Sequence, residues 1–490
     1  MFKHTGIMDK KHIIIFVAIF LLGAFLRVGY FHLNGDNVDS GGYVESWSRI
    51  YTALNWIYSD IPVPDMNYGI LHSYIISTGW FLSRENIVVF SRLVSLFFGI
   101  LFLWLFYALL KEFFGVRVAL GSLFLLSLYP LHIQMSSASL AGVPAYFLLF
   151  SSLYFLKRYD TSKSNVYIIL AALALMLSCM LRYECWMFIF FFSLVLFLKY
   201  RLSFSVRLFF GLSCMFPVFL LFLQYKHRGN PFGFIQSSAT VSLLTTQDFT
   251  FFERMTGFIQ VLCEVVSLPV FIVCAWGYIV CLFKRSKWDL FLFLFTAVIM
   301  IYTVRSLQGY YLYNDLRYSL IVGLLFLPFG GFGIDHIRKL LGRRQKLKFF
   351  VLMIAVVLGV TFSVRTLTVF YARSELPDSL KQGVAWLKNN VSAPDTILLE
   401  DGNYCPFISV YAHIYPHQLT PYDNTDLRQG KSNHLRSVLD SDYIVIWKPE
   451  GYFRREIKKL MPFRLFSKVY DNKDLEIFHQ NNKRRKGNIQ

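Results

Sequence analysis

"IIIFVAIFLLGAFLRVGYFHLNGDNVDSGGY", residues 13–43, joins two kinds of chemistry in one stretch. From Ile13 to Leu33 it is apolar, and a hydrocarbon core of about 30 Å is crossed by about 20 helical residues. The segment before it, Met1 to Lys11, is short and basic, so the run reads as an uncleaved anchor. Directly beyond it, Asp36 and Asp39 stand a few residues past the lipid boundary, followed by Gly41, Gly42 and Tyr43. The segment is either a solvated turn or the reacting edge of a site.

The chain of 490 residues is 55% hydrophobic and 18% aromatic, with 51 phenylalanines and a mean hydropathy of +0.47. Soluble proteins of this length are not so apolar. The composition is that of a polytopic α-helical membrane protein. Runs of span length fall near 12–33, 87–110, 117–136, 139–157, 164–181, 183–200, 205–225, 259–283, 288–305, 316–334 and 347–370, about eleven in all.

The loops between them sort by charge. One side carries Lys10 and Lys11, Lys111 and Arg117, Lys157, Arg158 and Lys163, Lys199, Arg201 and Arg207, Lys284, Arg285 and Lys287, and a last cluster from Arg338 to Lys348. On the other side the first long loop holds Asp36, Asp39, Glu45, Asp60, Asp65 and Glu85 against Arg49 and Arg84. The positive-inside rule puts the N-terminus in the cytoplasm, and an odd number of crossings puts the C-terminal region outside. The net charge of +19 is then largely topological, and a nucleic-acid partner is not implied. A multi-pass protein of a bacterial inner membrane is the expected setting.

Residues 1–371 read as the transmembrane domain, with a first outer loop at 34–86. Residues 372–480 read as an extracytoplasmic α/β domain, and 481–490 as a basic tail. "SELPDSLKQGVAWLKNN" and "EGYFRREIKKLM" have helical spacing, and "TILLED", "DYIVIW" and "DLEIFHQ" read as strands, an alternation that suggests a small α/β fold. Six of the seven cysteines lie in apolar segments and no CxxC pair occurs, so they read as small buried hydrophobes.

The first outer loop is long and too apolar for disorder. Val44, Trp47, Ile50, Tyr51 and Leu54 form one helical face, with Glu45, Ser48, Arg49 and Asn55 opposite. This helix is expected to lie in the membrane interface, and a second runs from about Ile70 to Leu82. Asp39 stands just before the first, where the plain reading is a helix cap.

An uncleaved first span, an aspartate opening the outer loop, interfacial helices, many further spans and an outer α/β domain resemble the GT-C class of membrane glycosyltransferases. The likeness is to the group of bacterial lipid A aminoarabinose transferases and protein O-mannosyltransferases. "DSGGY" supplies the class's aspartate and tyrosine as Asp39 and Tyr43. "RYE" supplies Arg182, Tyr183 and Glu184, "GNPF" (229–232) resembles a later outer loop, and "LRYSL" supplies Arg317 and Tyr318. Two places depart from the pattern. Where relatives often carry an acid in the second outer loop, this chain has Gly142 in "SLAGVPAY". Where some carry a lysine in the first loop, it has Tyr68 and His72 in "MNYGILHSY".

The resemblance implies a sugar taken from a polyprenyl-phosphate carrier at the outer membrane face, in a single inverting displacement. Such a step needs a base for the acceptor hydroxyl and cationic help for the departing phosphate. It implies Asp39 as the base, with Asp36 as runner-up. It implies Arg317 and then Arg182 for the phosphate, because the arginine fork matches phosphate oxygens. Tyr43, Tyr68, His72, Glu184 and Tyr318 are further candidates for shaping the donor site. No cofactor is expected, and a divalent metal loses support with the missing acid. The plain alternatives are that Arg182 pairs with Glu184, that Arg317 pairs with Asp315, or that each snorkels to the interface. The expected partners are a polyprenyl-phosphate-linked sugar, a lipid, glycan or protein acceptor, and membrane lipids. Rival functions are a transporter or flippase, a lipid-linked glycan polymerase or ligase, and a receptor-like scaffold.

Overall fold

The computed structural model describes residues 10–33, 44–58, 69–82, 87–232, 250–284, 289–307, 316–341, 346–371, 378–392, 394–399, 418–421, 441–447, 465–473 and 475–481. The helices among them are α1 Lys10–Leu33, α2 Val44–Tyr58, α3 Ile70–Leu82, α4 Ile87–Phe114, α5 Val116–Ser127, α6 Pro130–Met135, α7 Gly142–Ser162, α8 Asn165–Leu181, α9 Trp186–Tyr200, α10 Phe204–Arg228, α11 Phe251–Val266, α12 Leu268–Lys284, α13 Asp289–Leu307, α14 Leu316–Leu341, α15 Lys346–Tyr371 and α16 Asp378–Asn390. Two compact units divide the chain. The first takes Met1–Gly41, Met66–His72 and Val88–Ala372, and the second takes Gly42–Asp65, Ser73–Ile87 and Arg373–Gln490.

Among the described residues of the first unit, six helices are long and apolar enough to cross a membrane, or seven if α11 and α12 count as one bent span. Shorter apolar helices at 116–127, 165–181 and 348–364 cover other places where crossings were expected.

Two expected spans are not single helices. The first, near 117–136, breaks between α5 and α6. Pro130 has no N–H to give the Leu126 carbonyl, so the turn there cannot close as α-helix. Arg27 of α1 answers the break. Its Nη2 donates to Leu126 O at 3.0 Å and its Nη1 to Ser127 O at 3.4 Å and Gly23 O at 2.8 Å. Its Nε donates to His132 Nδ1 at 3.2 Å. The side chain is fully buried.

The second, near 259–283, bends by 115° at Ser267, whose φ of +69 is rare for a residue with a side chain. Helix α11 opens with a reciprocal cap, in which Glu253 N donates to Thr250 Oγ1 and Thr250 N to Glu253 Oε2. It buries Leu262, Val265 and Val266 and exposes Phe251, Phe252 and Ile259, the distribution of a helix lying at an interface.

In the second unit, α2 and α3 form as the sequence spacing predicts, and Trp56 meets Tyr74 edge-on at 4.8 Å. Helix α2 buries Ile50, Ala53 and Leu54. It also buries Arg49 to 4% exposure, which corrects the placement of Arg49 on a polar face.

The C-terminal region forms a five-stranded sheet of order β2-β1-β3-β5-β4. Its strands are β1 Ile397–Leu399, β2 Leu419–Pro421, β3 Tyr443–Trp447, β4 Phe466–Asp471 and β5 Leu475–Gln480. Strands β1, β2 and β3 are parallel, and β5 turns antiparallel between β3 and β4. Helix α16 packs on it through Trp386, whose ring lies 5.7 Å from that of Tyr470 and 6.2 Å from that of Tyr443. The expected helix at "EGYFRREIKKLM" and the tail at 481–490 lie outside the described residues, Asn481 excepted.

Candidate active site

Arg182 is where the apolar helix α8 stops. It leaves α8 in an extended conformation, and a short 3₁₀ turn, Tyr183–Cys185, leads into α9. An arginine at such a break is costly in an apolar setting and needs a partner. Glu184 provides it in a two-point pair. Arg182 Nη2 lies 2.6 Å from Glu184 Oε1, and Nε lies 3.1 Å from Oε2. The arginine side chain is 6% exposed and the glutamate 21%. Of the plain alternatives, the pairing of Arg182 with Glu184 is therefore present.

Three other elements meet this pair. A Cβ added to Gly142, the first residue of α7, would lie 3.7 Å from Arg182 Nη1, 3.8 Å from Leu320 and 4.0 Å from Tyr146. The guanidinium thus stands beside a helix N-terminus, and both favour an anion. Leu320 of α14 follows Arg317 by three residues, about 4.5 Å along the axis. Gly69, just ahead of α3, lies so close to the Leu181 carbonyl that a Cβ there would collide with it. His72 follows by three residues on the same helical side, and it is buried at 1% exposure.

Arg182 and Glu184 are therefore brought together, with Gly142 and Leu320 beside Arg182; Arg317 and Tyr318 precede Leu320 in the first turn of α14, and His72 follows Gly69 in the first turn of α3. Gly142, the place where the resemblance looks for an acid, falls in the same cluster. Asp36, Asp39, Tyr43 and Tyr68 lie outside the described residues.

Two buried arginines escaped the sequence reading, Arg27 and Arg92. The signal was there, because a charge inside an apolar run rarely occurs without a task. Arg92 of α4 donates through Nε to Ser137 O and through Nη2 to Phe31 O, both at 2.8 Å. Its guanidinium lies 4.4 Å over the Phe31 ring. At the other end of α7, Asp160 meets Lys199 at 2.7 Å, Lys163 at 3.3 Å and the Tyr200 hydroxyl at 2.5 Å. Burial works against its charged form, but the hydrogen bonds from Lys199 and Tyr200 prevail and hold its carboxyl at about 2.

No protein-family model and no curated protein matches the sequence. Solved structures do match. The apo oligosaccharyltransferase of Archaeoglobus fulgidus aligns with a TM-score of 0.60 at 14% identity, over 90% of this chain and 70% of that one. ArnT of Cupriavidus metallidurans bound to undecaprenyl phosphate aligns with a TM-score of 0.65 at 12% identity, over 95% and 97%. The arabinofuranosyltransferase AftD from mycobacteria aligns with a TM-score of 0.52 at 12% identity, over 98% of this chain and 40% of that one. At such identities the likeness is one of fold, and the fold is that of the GT-C membrane glycosyltransferases.

Proposed function

We propose that the protein is an inverting glycosyltransferase that moves a sugar from a polyprenyl-phosphate donor to a lipid, glycan or protein acceptor at the extracytoplasmic face of the membrane. The observation that carries this reading is the Arg182 cluster, in which a buried guanidinium, the N-terminus of α7 and the first turn of α14 converge at one end of a GT-C fold. Solved neighbours hold lipid phosphates: ArnT is bound to undecaprenyl phosphate, and the archaeal enzyme is in complex with a dolichol-phosphate. The archaeal enzyme has also been tethered to an acceptor peptide with an NVT sequon.

In the proposed step, Asp39 takes the proton of the acceptor hydroxyl, and Asp36 is the alternative base. The acceptor oxygen forms its bond to the anomeric carbon from the face opposite the phosphate. The carbon–oxygen bond to the phosphate breaks, and its electron pair leaves with the phosphate oxygen. Arg317 and Arg182 receive that charge, an arrangement that stabilises a developing anion best where water is scarce. His72, Tyr43, Tyr68 and Tyr318 shape the donor pocket. A phosphate is a good leaving group, so no general acid is required.

The test is transfer by purified protein in detergent, with a synthetic short-chain polyprenyl-phosphate sugar and a panel of acceptors. Product formation without a sealed vesicle is the expected result. Lipid movement across proteoliposomes with no product would establish the flippase reading in its place.

A further inference from the structure

Helix α1 ends at Leu33, and its last four carbonyls have no partner within the helix. One of these, Phe31 O, is taken at 2.8 Å by Arg92 of α4, a side chain 1% exposed. A cation at a helix C-terminus is favourable, and here the same guanidinium also stacks on the Phe31 ring. Through Nε it holds Ser137 O as well, in the buried connection between α6 and α7. One turn along α4, Ser95 Oγ donates to Leu140 O of that connection at 3.2 Å. The connection ends at Gly142, beside Arg182. A single side chain therefore ties the exit of α1 to the connection that leads into α7 at Gly142. Asp36 follows Leu33 by three residues, so covalent geometry keeps it within about 11 Å of that exit.

We infer that Arg92 is a positioning residue, which fixes the stem of the segment carrying Asp36 and Asp39 against the phosphate-binding wall. This rests on the glycosyltransferase reading above. A base displaced by about 1 Å loses much of its rate while the donor still binds.

The test compares Arg92→Gln, Arg92→Lys and Ser95→Ala in the full-length protein. Two readouts are used: steady-state transfer, and hydrogen–deuterium exchange at the amides of residues 30–33. Arg92→Gln should lower kcat at least about tenfold with donor KM within about twofold of wild type, the signature of a lost orientation. Its 30–33 amides should exchange at least about tenfold faster, since the carbonyl end of α1 loses its anchor. Arg92→Lys, which keeps the charge and reaches one carbonyl, should recover part of both. Ser95→Ala, which frees Leu140 O but leaves Phe31 O held, should keep the 30–33 exchange of wild type. Unchanged exchange at 30–33 in both Arg92 variants would overturn the inference. So would a raised KM with kcat kept, or equally fast 30–33 exchange in Ser95→Ala. A wild-type protein that transfers no sugar would overturn the functional reading instead, with the exchange data still deciding whether Arg92 anchors α1. If Arg92→Gln does not fold, the lysine variant carries both readouts.

Discussion

Arg27 and Arg182 are both arginines buried beside a helix break, and they differ in what they hold. Arg27 donates to the carbonyls of Gly23, Leu126 and Ser127 and to His132, all fixed in helices or at their break. Pro130 removes only the α-helical donor of the Leu126 carbonyl, which the Tyr129 N–H and Arg27 take up instead. Arg182 instead faces a carboxylate that is one-fifth exposed, beside the start of a helix. A guanidinium committed to main chain holds the fold together. One committed to a partly exposed side chain can trade that partner for a ligand. Both side chains are buried, and the partner tells the two apart.

Arg27→Ala should give the largest loss of stability. It takes the Arg27 donor from the Ser127 carbonyl and from His132 in a dry setting, while the Leu126 carbonyl keeps the Tyr129 N–H, a cost of about 2–4 kcal/mol. The thermal midpoint in detergent should fall by several degrees, with turnover per folded molecule retained. A midpoint within about 1 °C of wild type would mean that the break holds without Arg27.

Arg182→Ala should show the opposite profile. Donor affinity should fall about 10–100-fold, the scale of a lost charge-assisted pair, with a smaller stability change than for Arg27. Glu184→Gln should keep donor affinity or raise it, because the competing carboxylate is gone. If Glu184→Gln weakens donor binding as much as Arg182→Ala does, the pair is structural and the contrast with Arg27 fails.

What could be read from the sequence, and what could not, follows the same division. Apolar length located the bundle helices, because burial in lipid constrains composition directly. It could not show direction, so the Ser267 bend stayed hidden inside the run 259–283. Pro130 was visible but sat in a run that was otherwise continuous. Strands β1, β3 and β5 were legible as apolar runs. The edge strands β2 and β4 were not, since β2 is three residues ending in Pro421 and β4 leaves most of its side chains uncovered. Arg182 and Glu184 were legible from the resemblance. Arg92 was not, because its partners are backbone carbonyls more than forty residues away in sequence, which leave no pattern to find.

Gly142→Asp should sharpen the contrast further. The added Cβ has ordinary contacts, and an aspartate suits a helix N-terminus. Its carboxylate would compete for Arg182 and reduce donor affinity by roughly three- to tenfold, with folding kept. Titration of donor binding by intrinsic fluorescence is the measurement, and unchanged affinity would place the phosphate away from α7.

Asp160→Asn should have the smallest effect. The depressed carboxyl contributes stability in full above its unfolded value near 3.9, and the contribution is lost as pH falls through about 2. The cluster is partly exposed and screened, so the loss at neutral pH should stay within about 1 kcal/mol. Wild type and variant should converge in midpoint as pH is lowered from 4 toward 2. Curves that stay parallel would mean that the charge of Asp160 plays no part.

The central claim, that the segment after α1 is a reacting edge, is tested most directly by Asp39→Asn in the purified transfer assay. Asparagine keeps the volume and caps a helix about as well as aspartate, but it cannot accept the acceptor's proton. The account predicts that folding and donor binding persist while turnover falls about 100-fold or more, with Asp36→Asn milder. A fully active Asp39→Asn protein would contradict it, and a loss confined to Asp36→Asn would move the base to Asp36.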